Sequence, residues 1–259
     1  MKNKVVIDCF PESAAAYGPG YAVVAIDVIR ATTSAITVAA RGGRCFPVPS
    51  TDAAKTLASR LANPILAGEV GGDVPMGFEM NNSPADFDSC ADLARPVILL
   101  SSSGTKLLHE ARHADAVYLA SFRNYSYMAR HLVDHHSQIA VIGAGSRNEF
   151  REEDQMCCAW ITRGLIDEGY VPGNDKTMEI VRQWRVEEPS AITAGKSAAY
   201  LRRSGQTKDL DFILAHVNDL SAAFVMKNGE VAMIPAEDVR SGAPLNAPAG
   251  VRRTALEIC

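Results

Sequence analysis

The sequence contains no long apolar run. Its most apolar stretches, such as residues 21–26 and 97–100, have the length of β-strands, whereas a membrane-spanning helix needs about 20 apolar residues. The first apolar stretch, residues 5–7, is much shorter than the ~7–15 apolar residues of a signal peptide. We therefore expect a cytoplasmic protein with no membrane partner.

Paired-cysteine motifs are also absent. The sequence has six cysteines, none of them in a C-x-x-C pair, at positions Cys9, Cys45, Cys90, Cys157, Cys158 and Cys259. They are scattered along the chain and do not have the spacing typical of a disulfide framework in a small secreted domain. We expect most of them to be buried free thiols that pack as small apolar side chains.

Neither sign of charge dominates. The chain has 26 Lys and Arg against 30 Asp and Glu, a net charge of −4, and it has no basic block. This balance argues against general nucleic-acid binding and against adhesion to anionic membranes. With 47% hydrophobic and 22% charged residues over 259 positions, the composition is that of a folded globular protein.

Short apolar runs alternate with helical patterns over the first two thirds of the chain. Strands are predicted at residues 4–9, 21–26, 45–48, 97–100, 116–119 and 139–142. Helices are predicted at residues 31–40, 52–61 (with Thr51 as N-cap), 104–112 and 125–133. This order predicts a three-layer α/β/α fold with a mainly parallel or mixed sheet.

The last third is richer in helix. Helices are predicted at residues 152–168, 177–184, 190–203 and 209–217, followed by a β-hairpin around Asn228-Gly229. No long linker or internal repeat separates this part from the rest. We therefore expect one compact unit, with two lobes at about 1–150 and 151–259, in preference to two free domains.

The carboxyl end of the second predicted strand carries the first polar cluster. Ligands of open α/β sheets bind at such ends, where helix N-termini point. Asp27 can hold a hard cation such as Mg²⁺, and Arg30 offers a fork for a phosphate, carboxylate or sulfonate. Thr32 and Thr33 add hydroxyl groups at the helix start. The alternative is a helix cap beside a surface arginine.

Two further clusters are rich in glycine and serine. In the first, Glu69 lies in a glycine-rich loop that leads to Ser83-Pro84, a typical helix start. The alternative is a plain surface loop, although long loops without structure are usually functional. The second cluster provides hydroxyl and backbone N–H groups for a phosphate, without Walker A spacing, from Ser102, Ser103, Gly104 and Thr105.

The fourth group combines Arg123 and Asn124 with an acidic helix start. Glu152, Glu153 and Asp154 begin a predicted helix, where carboxylates suit the helix dipole. Three in a row exceed what capping needs, so one or two of them could reach a metal. Cys157 follows on the same predicted helix.

A zinc-hydrolase pattern also occurs at His109-Glu110-x-x-His113. The spacing places both histidines on one helical face, but this face lies opposite the apolar residues Leu107, Leu108 and Ala111. The predicted helix is short and no third ligand motif follows it. We keep a zinc-dependent hydrolase as an alternative function.

The ordered set of motifs resembles the 2-phosphosulfolactate phosphatase family. The motifs are Asp27-Val-Ile-Arg-Ala-Thr-Thr, Gly68-Glu-Val-Gly-Gly, Gly77-Phe-Glu-Met-Asn-Asn-Ser-Pro, Ser101-Ser-Ser-Gly-Thr, Arg123-Asn124, Gly143-Ala-Gly, and Glu153-Asp154 before Cys157. The resemblance implies a three-layer fold and a Mg²⁺-dependent phosphatase that converts 2-phospho-3-sulfolactate to 3-sulfolactate on the route to coenzyme M. One departure is Val70, where the family pattern leads us to expect a basic residue.

This reading gives each candidate residue a role. Asp27, Glu69, Glu153 and Asp154 would hold Mg²⁺ directly or through water. The loop containing Ser102, Ser103, Gly104 and Thr105 would cradle the phosphoryl group, with Thr32 and Thr33 nearby. Arg30 and Arg123 would bind the anionic groups of a small phosphorylated substrate, and Asn124 would orient it.

The nucleophile and the partners stay open. A Mg²⁺-activated water, Asp27 and Cys157 are the three candidate nucleophiles. The sequence does not decide whether the chain forms a homo-oligomer. A non-catalytic protein that binds an anionic metabolite is the second alternative function. The presence of four candidate carboxylates, Asp27, Glu69, Glu153 and Asp154, favours an enzyme over such a protein.

Overall fold

The computed structural model describes residues 2–236. Within this range the strands are β1 (Lys4–Cys9), β2 (Ala22–Ile26), β3 (Cys45–Val48), β4 (Ile65–Gly68), β5 (Val97–Leu100), β6 (Ala116–Ala120), β7 (Gln138–Gly143), β8 (Val171–Pro172), β9 (Ala222–Lys227) and β10 (Glu230–Pro235). The α-helices are α1 (Ala31–Ala40), α2 (Thr51–Ala58), α3 (Pro84–Ser89), α4 (Gly104–Glu110), α5 (Tyr125–His135), α6 (Glu152–Asp167), α7 (Asp175–Gln183), α8 (Lys196–Arg203) and α9 (Thr207–Ala215).

The larger sheet has seven strands in the order β10-β9-β6-β2-β7-β1-β8. The strands from β6 to β8 in this order are parallel, and the hairpin β9-β10 adds two antiparallel strands beside β6. Ile26 of β2 is in register with Ala120 of β6 and Gly143 of β7. The residues that follow these three strands therefore leave the sheet along one edge.

A separate three-stranded parallel sheet has the order β3-β5-β4. Leu100 at the end of β5 is in register with Val48 of β3 and Gly68 of β4. Glu69 and Ser101, which come next in the chain, therefore emerge side by side. The sequence predicts the strands β3 and β5 but neither β4 nor the division of the strands between two sheets.

Helix α1 lies between the two sheets and is buried from Ala31 to Ala39. It contacts β3 and β5 on one side and β6 on the other. Small residues dominate its sequence, ATTSAITVAA, which allows the strands to approach it closely. A helix that is enclosed in this way needs no polar face.

Both faces of the seven-stranded sheet are covered. Alternate residues of β2 point into two apolar cores: Val24 and Ile26 into one, which includes residues of α5 to α9, and Val23 and Ala25 into the other, which includes residues of α1 and α4. This alternation confirms the predicted α/β fold with helices on either side of the sheet. Strands from both sides of residue 150 share this sheet, and the two lobes stay a prediction.

Several predicted boundaries differ in detail. Ser50, and not Thr51, caps α2, because its hydroxyl accepts a hydrogen bond from the N–H of Ala53. The long helix predicted at residues 190–203 is divided at Gly195 into a short 3-10 helix, Pro189–Ala194, and α8. The predicted hairpin is confirmed, with positive φ angles of 55° at Asn228 and 81° at Gly229.

The cysteines in the described range are free thiols at Cys9, Cys45, Cys90, Cys157 and Cys158, of which Cys90 alone is incompletely buried. Cys259 lies outside the described residues. No helix within residues 2–236 combines the length and the apolar character that a membrane crossing requires.

Candidate active site

A cavity of about 540 Å³ opens at the carboxyl ends of β2, β4, β5 and β7. Helices α6 and α8 close its sides. Six of the residues that the sequence singles out line it: Asp27, Arg30, Glu69, Ser102, Ser103 and Asp154. The two sheets thus bring together side chains from distant parts of the chain, as the strand-end argument predicts.

Asp27 leaves the end of β2 and is 6% exposed. Burial, together with the negative charges of Glu69 and Glu153, raises the pKa of Asp27 to about 7, against the opposing effect of the Ala31 N–H. Gly104, the first residue of α4, packs directly on this carboxylate, and a Cβ at position 104 would overlap it. Glycine is therefore required there for α4 to approach Asp27.

Asp154 lies in the first turn of α6 and joins the ends of two strands. Its Oδ1 accepts a hydrogen bond of 2.9 Å from the N–H of Val28, and its Oδ2 accepts one of 3.1 Å from the N–H of Gly145. Burial raises the pKa of Asp154 well above its usual value, and the charges of Asp27 and Glu153 add to this shift. Two buried carboxylates, those of Asp27 and Asp154, therefore line one cavity.

Glu69 connects the glycine-rich loop to the segment that follows β5, which contains Ser101, Ser102 and Ser103 and which we call the serine loop. Its Oε1 accepts a hydrogen bond from the N–H of Ser102, and its Oε2 accepts bonds from the Ser102 hydroxyl and from the N–H of Gly72. The Ser102 hydroxyl in turn accepts a bond from the N–H of Gly71. Glu69 therefore fixes the shape of this side of the cavity.

The serine loop that follows β5 is closed by a threonine. The Thr105 hydroxyl donates to the carbonyl oxygen of Ser101 and accepts from its N–H. The Ser101 hydroxyl accepts from the N–H of Gly104 at 3.3 Å and lies 3.5 Å from Oδ2 of Asp27. The loop thus lies against Asp27, and its residues Ser101, Ser102 and Ser103 line the cavity.

Arg30 lines the cavity but already has partners. Its guanidinium forms a buried ion pair with Asp209 of α9 and donates hydrogen bonds to Gln206 and Asn81. Arg30 therefore ties the loop after β2 to α9 and to the segment before α3. Any contact with a substrate would use the guanidinium N–H groups of Arg30 that do not already bind these partners.

Four basic side chains complete the lining of the cavity: Arg147, Arg151, Lys196 and Arg203. We call this group the basic wall. Arg147 and Arg151 follow β7, whereas Lys196 and Arg203 belong to α8. Within residues 2–236, the ion pairs of the wall are all with Glu149, whose carboxylate lies 2.9 Å from Arg151 and 2.8 Å from Lys196.

Sequence comparisons place this architecture in a known family. The family profile described as 2-phosphosulpholactate phosphatase matches residues 10–250. The chain belongs to the 2-phosphosulpholactate phosphatase family.

Relatives within the family match over most of their length, and each is called a probable 2-phosphosulfolactate phosphatase. The relative from Deinococcus radiodurans is 29% identical over 242 residues, which cover 92% of this chain and 96% of the relative. The relative from Symbiobacterium thermophilum is 29% identical and covers 83% and 95%, respectively. The relative from Clostridium perfringens strain SM101 is 30% identical and covers 83% and 90%.

Several candidates taken from the phosphatase resemblance do not line the cavity. Thr32 and Thr33 are buried, and their hydroxyls donate to the carbonyl oxygens of Asp27 and Val28. The Thr105 hydroxyl is used within its own loop. These hydroxyl groups shape the backbone around the cavity, and the structure does not bring them to its surface.

Arg123 and Asn124 also lie away from the cavity. The Arg123 guanidinium pairs with Asp219 and donates to the Thr37 hydroxyl. The Asn124 side chain accepts from the N–H of Ser121 and donates to the carbonyl oxygen of Ala222. Both residues therefore connect the start of α5 to neighbouring parts of the fold.

Cys157 and Glu153 are on α6 but not among the lining residues. Cys157 is fully buried, and burial together with the charge of Asp154 raises the pKa of its thiol well above the usual value. This environment favours the neutral thiol over the nucleophilic thiolate. Burial also raises the pKa of Glu153, while the nearby Ser197 hydroxyl lowers it.

The zinc-hydrolase alternative receives no support. Helix α4 ends at Glu110, and a short 3-10 helix, Ala111–His113, follows it. His109 and His113 are therefore not on two successive turns of one α-helix, and both are exposed. Within residues 2–236, no three His, Cys, Asp or Glu side chains are close enough together to hold a metal ion by themselves.

Asp27 and Asp154 fit a Mg²⁺ ion better than the larger predicted set. Mg²⁺ commonly takes one or two carboxylates and keeps several waters, so it does not need a cage of protein ligands. Two buried carboxylates with raised pKa values are a setting that a divalent cation would stabilise. Glu69 is only partly buried and Glu153 does not line the cavity, whereas Asp27 and Asp154 are both buried and line it.

Sequence reasoning missed the basic wall, and it gave no role to Asn82, although Asn82 belongs to the motif at residues 77–84. Asn82 is 2% exposed and lines the cavity beside Arg30. A signal for the wall was present, because Arg147 and Arg151 follow the Gly143-Ala-Gly end of a predicted strand. Lys196 and Arg203 carried no such signal, since α8 reaches the cavity only through tertiary packing.

Proposed function

We propose that this chain is a Mg²⁺-dependent phosphatase that hydrolyses the phosphate monoester of a small 2-hydroxy acid. The substrate that we propose is 2-phospho-3-sulfolactate, and the products are 3-sulfolactate and phosphate. Membership of the 2-phosphosulpholactate phosphatase family supports this assignment. The coenzyme M route is a prediction from the family resemblance.

One observation carries the proposal. One cavity is lined by the buried carboxylates of Asp27 and Asp154, by the serine loop and by several basic side chains. A phosphate monoester dianion repels nucleophiles, so its hydrolysis depends on charge neutralisation and positioning. A cavity with a cation site and several cationic side chains supplies both.

Asp27 and Asp154 would hold the Mg²⁺ ion. The bound ion would neutralise the charge of the phosphoryl oxygens and lower the pKa of a water molecule. The hydrogen bonds from Val28 and Gly145 fix both oxygens of Asp154, so its carboxylate is oriented in advance. Glu69 contributes indirectly, because it fixes the glycine-rich loop against Ser102.

The serine loop would bind the phosphoryl group. All three of Ser101, Ser102 and Ser103 line the cavity. The Ser103 hydroxyl can donate to a phosphoryl oxygen, whereas the Ser102 hydroxyl already donates to Glu69 and the Ser101 hydroxyl faces Asp27. Water is the nucleophile that we propose. Cys157 is buried away from the cavity, and the carboxylate of Asp27 is assigned to the cation.

The test is phosphate release from 2-phospho-3-sulfolactate and from 2-phospholactate, each with Mg²⁺ and with EDTA. We expect release with Mg²⁺, loss of release with EDTA, and a preference for the sulfonate. Equal release in EDTA would overturn the Mg²⁺ requirement. No release from either ester with Mg²⁺ would overturn the phosphatase and favour the binding of an anionic metabolite.

A further inference from the structure

The guanidinium of Arg30 is bound by a network of side chains that lies behind the cavity. Its Nη1 lies 2.5 Å from Oδ2 of Asp209 and also donates to Oε1 of Gln206. Its Nη2 donates to Oδ1 of Asn81 at 3.0 Å. Arg30 lines the cavity, but these three partners do not. The network therefore binds the side of the guanidinium that faces away from the cavity.

The network leaves one edge of the Arg30 guanidinium free. An arginine side chain has five N–H groups, and these partners use three of them. Asn81 and Gln206 are joined by a hydrogen bond of 3.1 Å, so both lie at the end of the guanidinium that carries Nη1 and Nη2. Nε and the adjacent N–H of Nη2 have no partner within residues 2–236. They form a flat edge with two donors, which matches two oxygens of a phosphoryl group.

The orientation of Asp209 is itself fixed by the fold. Its side chain is fully buried on α9. Its Oδ1 accepts a hydrogen bond from the Ser83 hydroxyl and a longer one, of 3.4 Å, from the N–H of Ala85. One oxygen of Asp209 is therefore bound to Arg30 and the other to the start of α3. A carboxylate held in this way also holds the guanidinium that it binds.

The Arg30–Asp209 pair lies close to the proposed reaction centre. Burial raises the pKa of Asp27, and the charge of Arg30 is near enough to act against this shift. A buried ion pair is often no more stabilising than apolar side chains of the same volume, because both charges lose their hydration. Stability alone therefore does not account for a fully buried carboxylate at this position.

We propose that Asp209 is a positioning residue, which holds Arg30 so that the free edge of its guanidinium binds the phosphoryl group of the substrate. Asp209 itself does not touch the substrate. This inference rests on the proposed phosphatase function and gives α9 a role in it. A guanidinium that is fixed in advance needs no reorientation when charge develops on the phosphoryl oxygens.

The first test is a double-mutant cycle of Asp209→Asn and Arg30→Gln, with 2-phospho-3-sulfolactate as the substrate. We expect Asp209→Asn to lower kcat/KM about 10–100-fold, because the amide keeps the shape but not the charge that holds the guanidinium. Arg30→Gln should lower it at least as much. In the Arg30→Gln background, Asp209→Asn should change kcat/KM less than about 3-fold, because a positioning residue has no effect once the residue that it positions is removed.

Asp211→Asn is the matched control, because Asp211 is exposed on the same helix. It should keep kcat/KM within about 2-fold of the wild type. A purely structural role of Asp209 predicts instead that Asp209→Asn causes the same fold loss with Arg30 and with Gln at position 30. That result would overturn the inference, and so would an Asp209→Asn variant with the kcat/KM of the wild type.

The second test needs no turnover and separates this inference from the proposed function. Binding of inorganic phosphate is measured by calorimetry with Mg²⁺ present. We expect Asp209→Asn to bind phosphate at least about 5-fold more weakly than the wild type, and Asp211→Asn to bind it equally well. Equal binding to Asp209→Asn, or no binding to the wild type, would overturn the inference even if the ester is hydrolysed. A wild type that binds phosphate in this Asp209-dependent way but hydrolyses no ester would overturn the proposed function and support the positioning role.

A third variant covers the case in which Asp209→Asn or Arg30→Gln does not fold, since each leaves one buried charge without its partner. Gln206 is partly buried and accepts hydrogen bonds from Arg30 and Asn81. Gln206→Met removes this acceptor and leaves the ion pair in place. It is expected to lower kcat/KM about 3–10-fold. A folded Gln206→Met variant with full activity, together with a misfolded Asp209→Asn, would also overturn the inference.

Discussion

At the scale of single residues, the end of β2 holds a carboxylate in surroundings that disfavour its charge. Asp27 is buried, lies near Glu69 and Glu153, and is covered by the glycine that begins α4. Buried charges are costly unless they are paired. Groups with perturbed pKa values in a cavity often have a function, and Asp27 meets both conditions.

Asp27→Asn tests this carboxylate. We expect phosphate release to fall at least about 100-fold, because the amide cannot replace the charge that holds the cation. We expect no loss of thermal stability at pH 7.5, since the amide is isosteric and removes repulsion between buried carboxylates. The exposed Asp211→Asn is the control and should retain activity. Activity of Asp27→Asn within threefold of the wild type would contradict the assignment.

The sequence identifies strand-end residues better than it identifies their partners. Asp27 and Arg30 were predicted from residue type and position, and both line the cavity. Arg123 has the same kind of position, but it pairs with Asp219, which is 96 residues later in the chain. Such a partner is fixed by tertiary packing, so no local pattern could show that Arg123 is already engaged.

At the scale of elements, α8 holds the glycine-rich loop against the cavity. The Tyr200 hydroxyl donates a hydrogen bond of 2.9 Å to the carbonyl oxygen of Gly72. Gly72 has a φ angle of +103°, and a Cβ there would lie 2.5 Å from the Tyr200 oxygen. Glycine at position 72 is thus needed both for the backbone conformation and for the close approach of α8.

Tyr200→Phe removes this connection and leaves the ring in place. We expect the KM for the phosphate ester to rise about 3–10-fold, since the loop that carries Glu69 loses a hydrogen bond. The kcat should change less than the KM, because Asp27 and Asp154 are held by other contacts. Amide hydrogen exchange in residues 69–77 should become faster.

The control is Tyr21→Phe, at the end of β2 that is remote from the cavity. It should leave both the KM and the exchange rates unchanged. An unchanged exchange rate of residues 69–77 in Tyr200→Phe would refute the proposed role of α8.

Local patterns predicted most elements but not the pairing of the strands. Strand β3 and helix α1 match their predicted bounds, since apolar runs and small-residue helices are local signals. Strand β4, only four residues long, was missed. The division into two sheets depends on the pairing of β3 with β5, which lies about 50 residues later in the chain, and a strand's own sequence does not specify its neighbour.

At the scale of the whole molecule, the cavity lies at the carboxyl ends of the parallel strands, and a histidine cluster lies toward their amino ends. Helix α5 starts after the carboxyl end of β6 and runs back along the sheet, so its last turns are remote from Asp27. There the Tyr118 hydroxyl lies 2.9 Å from His136 and 3.4 Å from His131. The ring of His135 stacks on that of His131.

The histidine cluster predicts how stability depends on pH. Burial lowers the pKa of His131 to about 4, and the charges of His135 and His136 add to this shift, against the opposing effect of Asp134. An unfolded histidine has a pKa of about 6.5, so the unfolded chain binds the additional proton between these values.

The contribution of neutral His131 to the free energy of unfolding is therefore complete above about pH 6.5 and is lost as the pH falls toward about 4. We expect the wild type to have a lower free energy of unfolding at pH 5 than at pH 7.5, and His131→Gln to have a smaller difference between the two. Urea unfolding at both pH values measures it, with the exposed His113→Gln as a control that keeps the wild-type difference. Because the cluster is remote from the cavity, kcat/KM at pH 7.5 should be the same in all three proteins. An identical pH difference in His131→Gln and the wild type would show that His131 does not carry this dependence.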